Sequence, residues 1–466
     1  MVVVGAGAAG LSVANAAARL GLAVTLVEQG EMGGECLNTG CVPSKALLAC
    51  AHAAGAAREA GRFGVRLPPP EIDWHGVRAY VRVAVAAIAP ADSAERYRAL
   101  SCEVLRGRAR LAGPRAVAVE GRVIAARRIV LAVGSRPAIP LLSGLNGVPY
   151  LTNETVFQIE ERPGHLLILG AGAMGVEMAQ AFALLGARVT LLARGRILPG
   201  MDEDLALMLR ERLVASGVAV REGVDAVAAE TGPALQLRDG SRVAGTHLLL
   251  AAGRRPALDA LGLDAAGIAF TPRGIATDLG LRSVTNRRVW AVGDCADPEG
   301  AGPRRYTHVA SQHAGVVVRG ALFRLPARLS YAALPRAVYT EPELAWVGLT
   351  EAEARTQDRS CAVLRAPLSE NDRAVAEGRA AGLAKIIVDR RGRIVGAGAL
   401  APAAGEMAAA LGLLIGRRGG ARSLASLVVA YPTRFEILKK AAGNLFMPTL
   451  FGTGPRLAVR LLARMS

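Results

Sequence analysis

The chain has 466 residues, 52% of them hydrophobic and 20% charged; at ~150 residues per domain this is material for about three domains, and it excludes a disordered chain. Its 54 glycines keep no three-residue period, which excludes a collagen-like chain, and aromatics are only 4%, so Ala, Val, Leu and Gly must fill the core. The net charge of +17 comes from scattered arginines rather than from a basic stripe with stacking aromatics, so no nucleic-acid partner is expected.

The cysteines (Cys36, Cys41, Cys50, Cys102, Cys295 and Cys361) are too sparse for a secreted disulfide scaffold and form no CxxC pair, so no zinc site is expected. Residues 1–18 carry no charge. They lack a basic leader, however, and Gly5, Gly7 and Gly10 interrupt them, so they read neither as a signal peptide nor as a membrane span. A cytoplasmic protein is the expectation. The first strand opens at Val2 without the residues that usually precede one, which suggests a start further upstream.

That strand, Val2-Val3-Val4, runs into Gly5-Ala6-Gly7-Ala8-Ala9-Gly10 and then a helix over 11–20. The next strand, Ala23-Val24-Thr25-Leu26-Val27, ends in Glu28, 18 residues past Gly10. This is the layout of a dinucleotide fingerprint. The first glycine makes the turn, the second admits the pyrophosphate and the third lets helix and strand pack. The helix N-terminus faces the phosphates, and Glu28 can accept bonds from ribose hydroxyls.

The chain continues Gly33-Gly34-Glu35-Cys36-Leu37-Asn38-Thr39-Gly40-Cys41-Val42-Pro43-Ser44-Lys45. Four residues separate Cys36 from Cys41, and Gly40 lets the backbone bend so that the sulfurs could reach bonding distance. So short a loop adds little stability, so a bond there would be reactive rather than structural. Pro43 suits a first helical turn. At that N-terminus the helix dipole would stabilise a Cys41 thiolate.

The fingerprint recurs 165 residues on, at Gly170-Ala171-Gly172-Ala173-Met174-Gly175, after the strand Leu166-Leu167-Ile168-Leu169. Glu177 lies in the helix that follows. Here the second strand ends in Ala193-Arg194-Gly195-Arg196, with no acid. A carboxylate repels a ribose 2′-phosphate and an arginine pairs with it, so Arg194 and Arg196 point to NADPH. Two such sites in one chain predict two dinucleotides exchanging electrons, FAD at the first and the nicotinamide donor at the second. At the far end Arg456, Arg460 and Arg464 recur every four residues with Leu457, Leu461 and Leu462 between them. As a helix this is a short basic amphipath, either a contact for an acidic membrane surface or partner, or a solvated or dimer-packed tail.

The run from Gly33 to Lys45 resembles the redox segment of the class I pyridine nucleotide–disulfide oxidoreductases, the family of dihydrolipoamide dehydrogenase, glutathione reductase and mercuric reductase. Further stretches are similar to the family's motifs: Leu131-Ala132-Val133-Gly134-Ser135-Arg136-Pro137, Ala251-Ala252-Gly253-Arg254-Arg255-Pro256, Val292-Gly293-Asp294, and Tyr306-Thr307-His308. The segment from Glu341 to Thr350 resembles the start of its dimerisation domain. The resemblance implies an α/β fold with two Rossmann-like dinucleotide-binding domains and an α/β C-terminal dimerisation domain. The expected division is an FAD domain of 1–143 and 262–333, an NAD(P)H domain of 144–261, a dimerisation domain of 334–448 and a basic tail of 449–466.

It also implies roles. NADPH would reduce FAD, and the flavin would reduce a Cys36–Cys41 disulfide. Cys41 would lie against the flavin as the charge-transfer thiolate, and Cys36 would attack the substrate. Gly34, Gly134, Gly253, Asp294 and His308 would contact cofactor. Lys45 would sit near the flavin and pair with Glu177. Disulfide-reducing members carry a His–Pro pair and a following Glu, supplied by the partner of a homodimer. Here the stretch reads Tyr431-Pro432-Thr433-Arg434-Phe435-Glu436, so Glu436 matches and Tyr431 replaces the His. A phenol of pKa ~10 is a poor base at neutral pH. Mercuric reductases resemble the chain more closely at this position, yet no cysteine follows Cys361 to match their C-terminal pair. The small-molecule acceptor is left among a metal ion, a disulfide and a quinone. The alternatives to a mercuric reductase-like enzyme are a dihydrolipoamide dehydrogenase type and a flavin quinone reductase or oxidase independent of the cysteines.

Overall fold

The computed structural model describes residues 1–465. Two compact units form: one of Met1–Gly170, Leu184–Arg188 and Asp225–Ser330, the other of Ala171–Ala183, Val189–Val224 and Tyr331–Ser466. They cut across the four-part division expected from the sequence. The expected 144–261 segment contributes to both units.

The first unit is built on a five-stranded parallel sheet in the order Val289–Ala291, Ile129–Leu131, Val2–Val4, Val24–Glu28, Cys102–Arg106. The three strands Val2–Val4, Ile129–Leu131 and Val289–Ala291 are buried throughout, which is why they read as unbroken apolar runs rather than alternating ones. The sheet joins chain from both ends of the unit, since Val289 pairs with Ile129 and Val2 with the same residue. Helix Ala8–Arg19 follows the first strand, and its buried positions Leu11, Val13, Ala14 and Ala17 are spaced to face one side. A second parallel pair, His165–Leu169 with His247–Leu250, repeats the arrangement. The unit also holds a three-stranded antiparallel sheet, Ala109–Gly113, Ala116–Val119 and Arg122–Ala125.

In the second unit, strand Arg188–Leu192 pairs in parallel with Val218–Arg221. The C-terminal part is a five-stranded antiparallel sheet in the order Pro335–Val338, Glu343–Gly348, Ile394–Ala401, Leu383–Val388, Ala362–Pro367. Its core mixes sheet residues such as Ala345, Val347 and Ile386 with Met407 and Leu411 of helix Ala404–Gly416 and Ile437 and Leu438 of helix Glu436–Gly443. Small side chains predominate there, as the scarcity of aromatics requires. One charge is buried with them: Lys385, 1% exposed, donates to Asp202 (2.8 Å) and Asp204 (2.9 Å) and pairs with Glu351 (2.8 Å). Burial alone would lower its ammonium, but the bonds to the three carboxylates outweigh that and raise it above the usual lysine value. Among the described residues no helix is long and apolar enough to cross a membrane.

Candidate active site

The cysteine segment is held against the first fingerprint turn. Gly33 bridges Gly7 in parallel and donates its N–H to Ala6 O at 3.0 Å. Gly34 has φ +60°, and a Cβ there would lie 2.7 Å from the Gly7 Cα, so only glycine lets the two backbones touch. Cys36 lies in the short helix Gly34–Asn38, where Asn38 Nδ2 donates to Met32 O (2.9 Å) and Gly34 O (2.8 Å). A Cβ on Gly40 would stand 2.9 Å from Glu35 O and 3.3 Å from the Cys36 Cα. The bend at this glycine is therefore what brings Cys41 back over Cys36.

Cys36 is half-buried and Cys41 exposed. A hydrogen bond to Cys41, and then burial, push the Cys36 thiol up. In the dithiol state this disfavours a thiolate at Cys36. Cys41 is the first residue of helix Cys41–Glu59, and its Sγ lies 3.3 Å from Oγ1 of Thr307, the first residue of helix Thr307–Val317. Two helix N-termini and a hydroxyl thus converge on one sulfur, a setting that favours a thiolate.

Beside the cysteines runs a charged chain that the sequence reading passed over. Glu35 Oε1 accepts from Asn153 Nδ2 at 3.0 Å, and Glu35 Oε2 pairs with Arg254 Nη2. Arg254 Nε donates to Ser135 Oγ (2.8 Å), and Ser135 Oγ donates to Asp294 Oδ2 (2.5 Å). Glu35 is pushed up to about 7, first by burial; the Arg254 guanidinium opposes this, while Asp294 and Cys41 add to it. Four motifs noted separately in the sequence meet in this chain. An acid wedged between Gly34 and Cys36 was the available signal.

The first site fits a dinucleotide. Gly5 has φ +103°, and a Cβ on it would lie 2.3 Å from Ala132 O; one on Gly10 would lie 1.9 Å from Gly5 O. No side chain caps the N-terminus of helix Ala8–Arg19, which leaves its first N–H groups for phosphate. Glu28 holds the turn: Oε2 accepts from the Ala6 N–H (2.6 Å) and Oε1 from the Gly30 N–H (2.7 Å). Arg305 Nε is buried without a partner, an orphaned donor of the kind a bound polar group would satisfy. Strand Ser135–Pro137 pairs with Arg254–Pro256, which joins the Gly134 and Gly253 segments. His308 is exposed and stacks on Tyr306 with ring centroids 5.2 Å apart. His313, which the motifs did not mark, accepts the Gly293 N–H at 3.0 Å, and burial holds it down to about 4. It is a neutral acceptor that fixes the turn beside Asp294.

The second fingerprint repeats the first. Gly170 has φ +112°, and its Cβ would fall 2.3 Å from Ala251 O, while a Cβ on Gly172 would meet open space. Gly175 and Glu177 are buried in helix Ala173–Leu184, and Glu177 Oε1 accepts the Tyr339 N–H at 3.0 Å. Arg194 is exposed, and Arg196 pairs with Glu203, both largely in solvent. Lys45, on helix Cys41–Glu59, is half-buried in the first unit; Glu177 belongs to the second. Tyr431 is 72% exposed and donates to Asp372 Oδ2 at 3.0 Å, which pushes its phenol up. Glu436 opens helix Glu436–Gly443 and accepts the Thr433 N–H at 3.0 Å. Among the described residues no group of three or more His, Cys, Asp and Glu side chains is placed to hold a metal.

Residues 1–314 match the family model described as pyridine nucleotide-disulphide oxidoreductase, and residues 334–442 match that family's dimerisation domain. The chain is 34% identical to a mercuric reductase of Streptomyces lividans, over 95% of each chain. It is also 34% identical to a dihydrolipoyl dehydrogenase of Thermus scotoductus, over 95% of this chain and 96% of that one. Among solved structures, LpdA from Mycobacterium tuberculosis superposes with TM-score 0.85 at 25% identity, covering 95% of this chain and 99% of that one. The copper(II) complex of the HOCl-induced flavoprotein disulfide reductase RclA from Escherichia coli gives TM-score 0.82 at 26% identity, covering 94% and 98%.

Proposed function

The chain belongs to the class I pyridine nucleotide–disulfide oxidoreductases, and from that premise we propose that it passes electrons from NADPH through Cys36 and Cys41 to a soft metal ion, in the manner of a mercuric reductase. The family's members depend on FAD and take electrons from NAD(P)H, and this chain is an enzyme of that kind. It carries the family's dimerisation domain, which supports a homodimer. FAD, when bound, supplies the two-electron relay between the nicotinamide and the disulfide.

The observation that carries the metal-ion reading is the state of the groups around the acceptor. Cys41 has the setting of a thiolate, and Cys36 keeps a proton that it can lose to a bound ion. Tyr431, where a disulfide reductase needs an imidazole, is tied to Asp372 with its phenol raised. A soft ion needs thiolate ligands more than a proton shuttle, so this site is better furnished for the ion. Two electrons from NADPH would take Hg(II) to the element, with one proton released. Lys45 would pair with Glu177 beside the flavin, and Tyr431 and Glu436 would come from the partner chain. Arg194 supports NADPH over NADH because it stands exposed where the second strand ends.

The equal identity to a dihydrolipoyl dehydrogenase favours the second reading, exchange with a dithiol substrate. NADPH oxidation by the holoprotein with Hg(II) and excess small thiol, run beside lipoamide with Cys36→Ala as control, separates the readings. Cysteine-dependent turnover with Hg(II) alone is expected. Strong lipoamide turnover would overturn the metal-ion assignment, activity that survives Cys36→Ala would mark a flavin quinone reductase or oxidase, and a lower KM for NADH than NADPH would remove the role given to Arg194.

A further inference from the structure

The helix Thr453–Leu462 buries none of its residues against its own chain. Leu457, Val459, Leu461 and Leu462 are 58%, 64%, 53% and 63% exposed, and Leu450 and Phe451, just before it, are 60% and 56% exposed. So many contiguous apolar side chains in solvent mark a binding face rather than ordinary surface scatter. The charge around them has one sign. Glu436 is the last acidic residue, and the chain beyond it holds Lys439, Lys440, Arg456, Arg460 and Arg464. At ~100° per residue Arg456 and Arg460 fall along one edge of the helix, Leu457, Leu461, Leu462 and Val459 wrap the rest of it, and Arg464 follows in the turn just past its end.

We infer that this helix binds an anionic lipid surface, lying in the headgroup plane with its leucines inserted and its arginines on the phosphates. A helix with one broad apolar face and a basic edge is shaped for that position. The charge balance decides between this occupant and a second copy of the chain. Another copy carries the same net +17 and so offers the arginine edge no excess of acid, whereas an anionic bilayer does. The match to the family's dimerisation domain also ends at residue 442, before the helix begins. A span is excluded by length, because ten residues of helix reach about half of a ~30 Å hydrocarbon layer. The association is therefore lateral, reversible and weakened by salt.

The test is sedimentation of the full-length holoprotein with phosphatidylcholine vesicles, with and without phosphatidylglycerol, at low and at physiological ionic strength. Binding is expected to the anionic vesicles and to fall with salt. At about fivefold per arginine, a variant with Arg456, Arg460 and Arg464 all changed to Gln should bind on the order of 100-fold more weakly. Leu457→Ser with Leu461→Ser should also abolish binding, while flavin content and NADPH oxidation without vesicles stay unchanged in both variants. Equal binding to neutral vesicles, or full binding by the arginine variant, would overturn the inference. So would a shift from dimer to monomer in either variant, which would assign the helix to the partner chain.

Discussion

Glu35 shows how local burial and a distant partner compete over one proton. Its folded pKa, about 7, stands above the ordinary glutamate value of 4.5. Between those values the folded state holds a proton that the unfolded state has released, so stability falls as pH rises through that window. Glu35→Gln removes the titration and keeps a neutral side chain. The thermal midpoint of the variant apoprotein relative to the parent should therefore rise between about pH 5 and about pH 8. Parallel midpoints across that range would mean that Arg254 holds the carboxylate ionised and that burial does not dominate. The two cysteines were legible from sequence because thiols are rare and their spacing has a mechanical meaning. The partner of Glu35 was not, since Arg254 lies 219 residues away and arginine is so common here that no single one stands out. Tyr431 was legible as a departure, but its tie to Asp372 was not, because that bond spans 59 residues and two separate elements.

The elements carry their meaning in the glycine turns. Gly5 and Gly170 sit at equivalent places, with positive φ and a carbonyl 2.3 Å from where a Cβ would go. Each substitution to Ala should distort one turn only. Gly5→Ala is expected to lose flavin, read as a fall in visible absorbance per chain. Gly170→Ala should keep flavin and lose its reduction by NADPH. The reverse pattern would exchange the two cofactor sites. This part of the fold was legible in the sequence because a strand, three glycines and a helix are local, and the strands are continuous apolar runs. The antiparallel sheet around Trp346 was legible only through family resemblance, and the Lys385 cluster not at all. That lysine joins strand Leu383–Val388 to Asp202, Asp204 and Glu351, which lie on other elements. Lys385→Ala would leave the buried Asp202 uncompensated, and removing one partner of a buried pair costs about 3–5 kcal/mol. The urea midpoint at neutral pH should fall accordingly. Burial works against Asp204 and Glu351, yet their bonds to Lys385 hold both below the usual carboxylate range. Their contribution is present above the unfolded carboxylate values and is lost as pH falls through the folded ones, so the gap between parent and variant should narrow in acid. A gap that stays constant down to low pH would show that lost packing, not charge, sets the cost.

For the whole molecule the question is which chain supplies which part of one reaction centre. The sequence places Cys36 and Cys41 near one end of the chain and Tyr431 and Glu436 near the other, and the second pair lies within the dimerisation domain. A symmetric dimer that shares its sites contains two copies of the same mixed centre. That arrangement predicts complementation. Take Cys36→Ala chains, and chains that carry Tyr431→Ala with Glu436→Ala, each inactive as its own dimer. Unfolding and refolding an equal mixture makes about half the dimers mixed, and in each of those one of two centres is wholly intact, so about a quarter of parental turnover should return. If all four residues served a centre within one chain, every chain in the mixture would carry a defect in its own centre, and nothing would return. Recovered turnover therefore reads the connectivity of the site directly. The same mixture should keep full flavin content, because the residues we assign to the first dinucleotide, from Gly5 to Glu28 and on to Asp294, all lie within one unit of one chain.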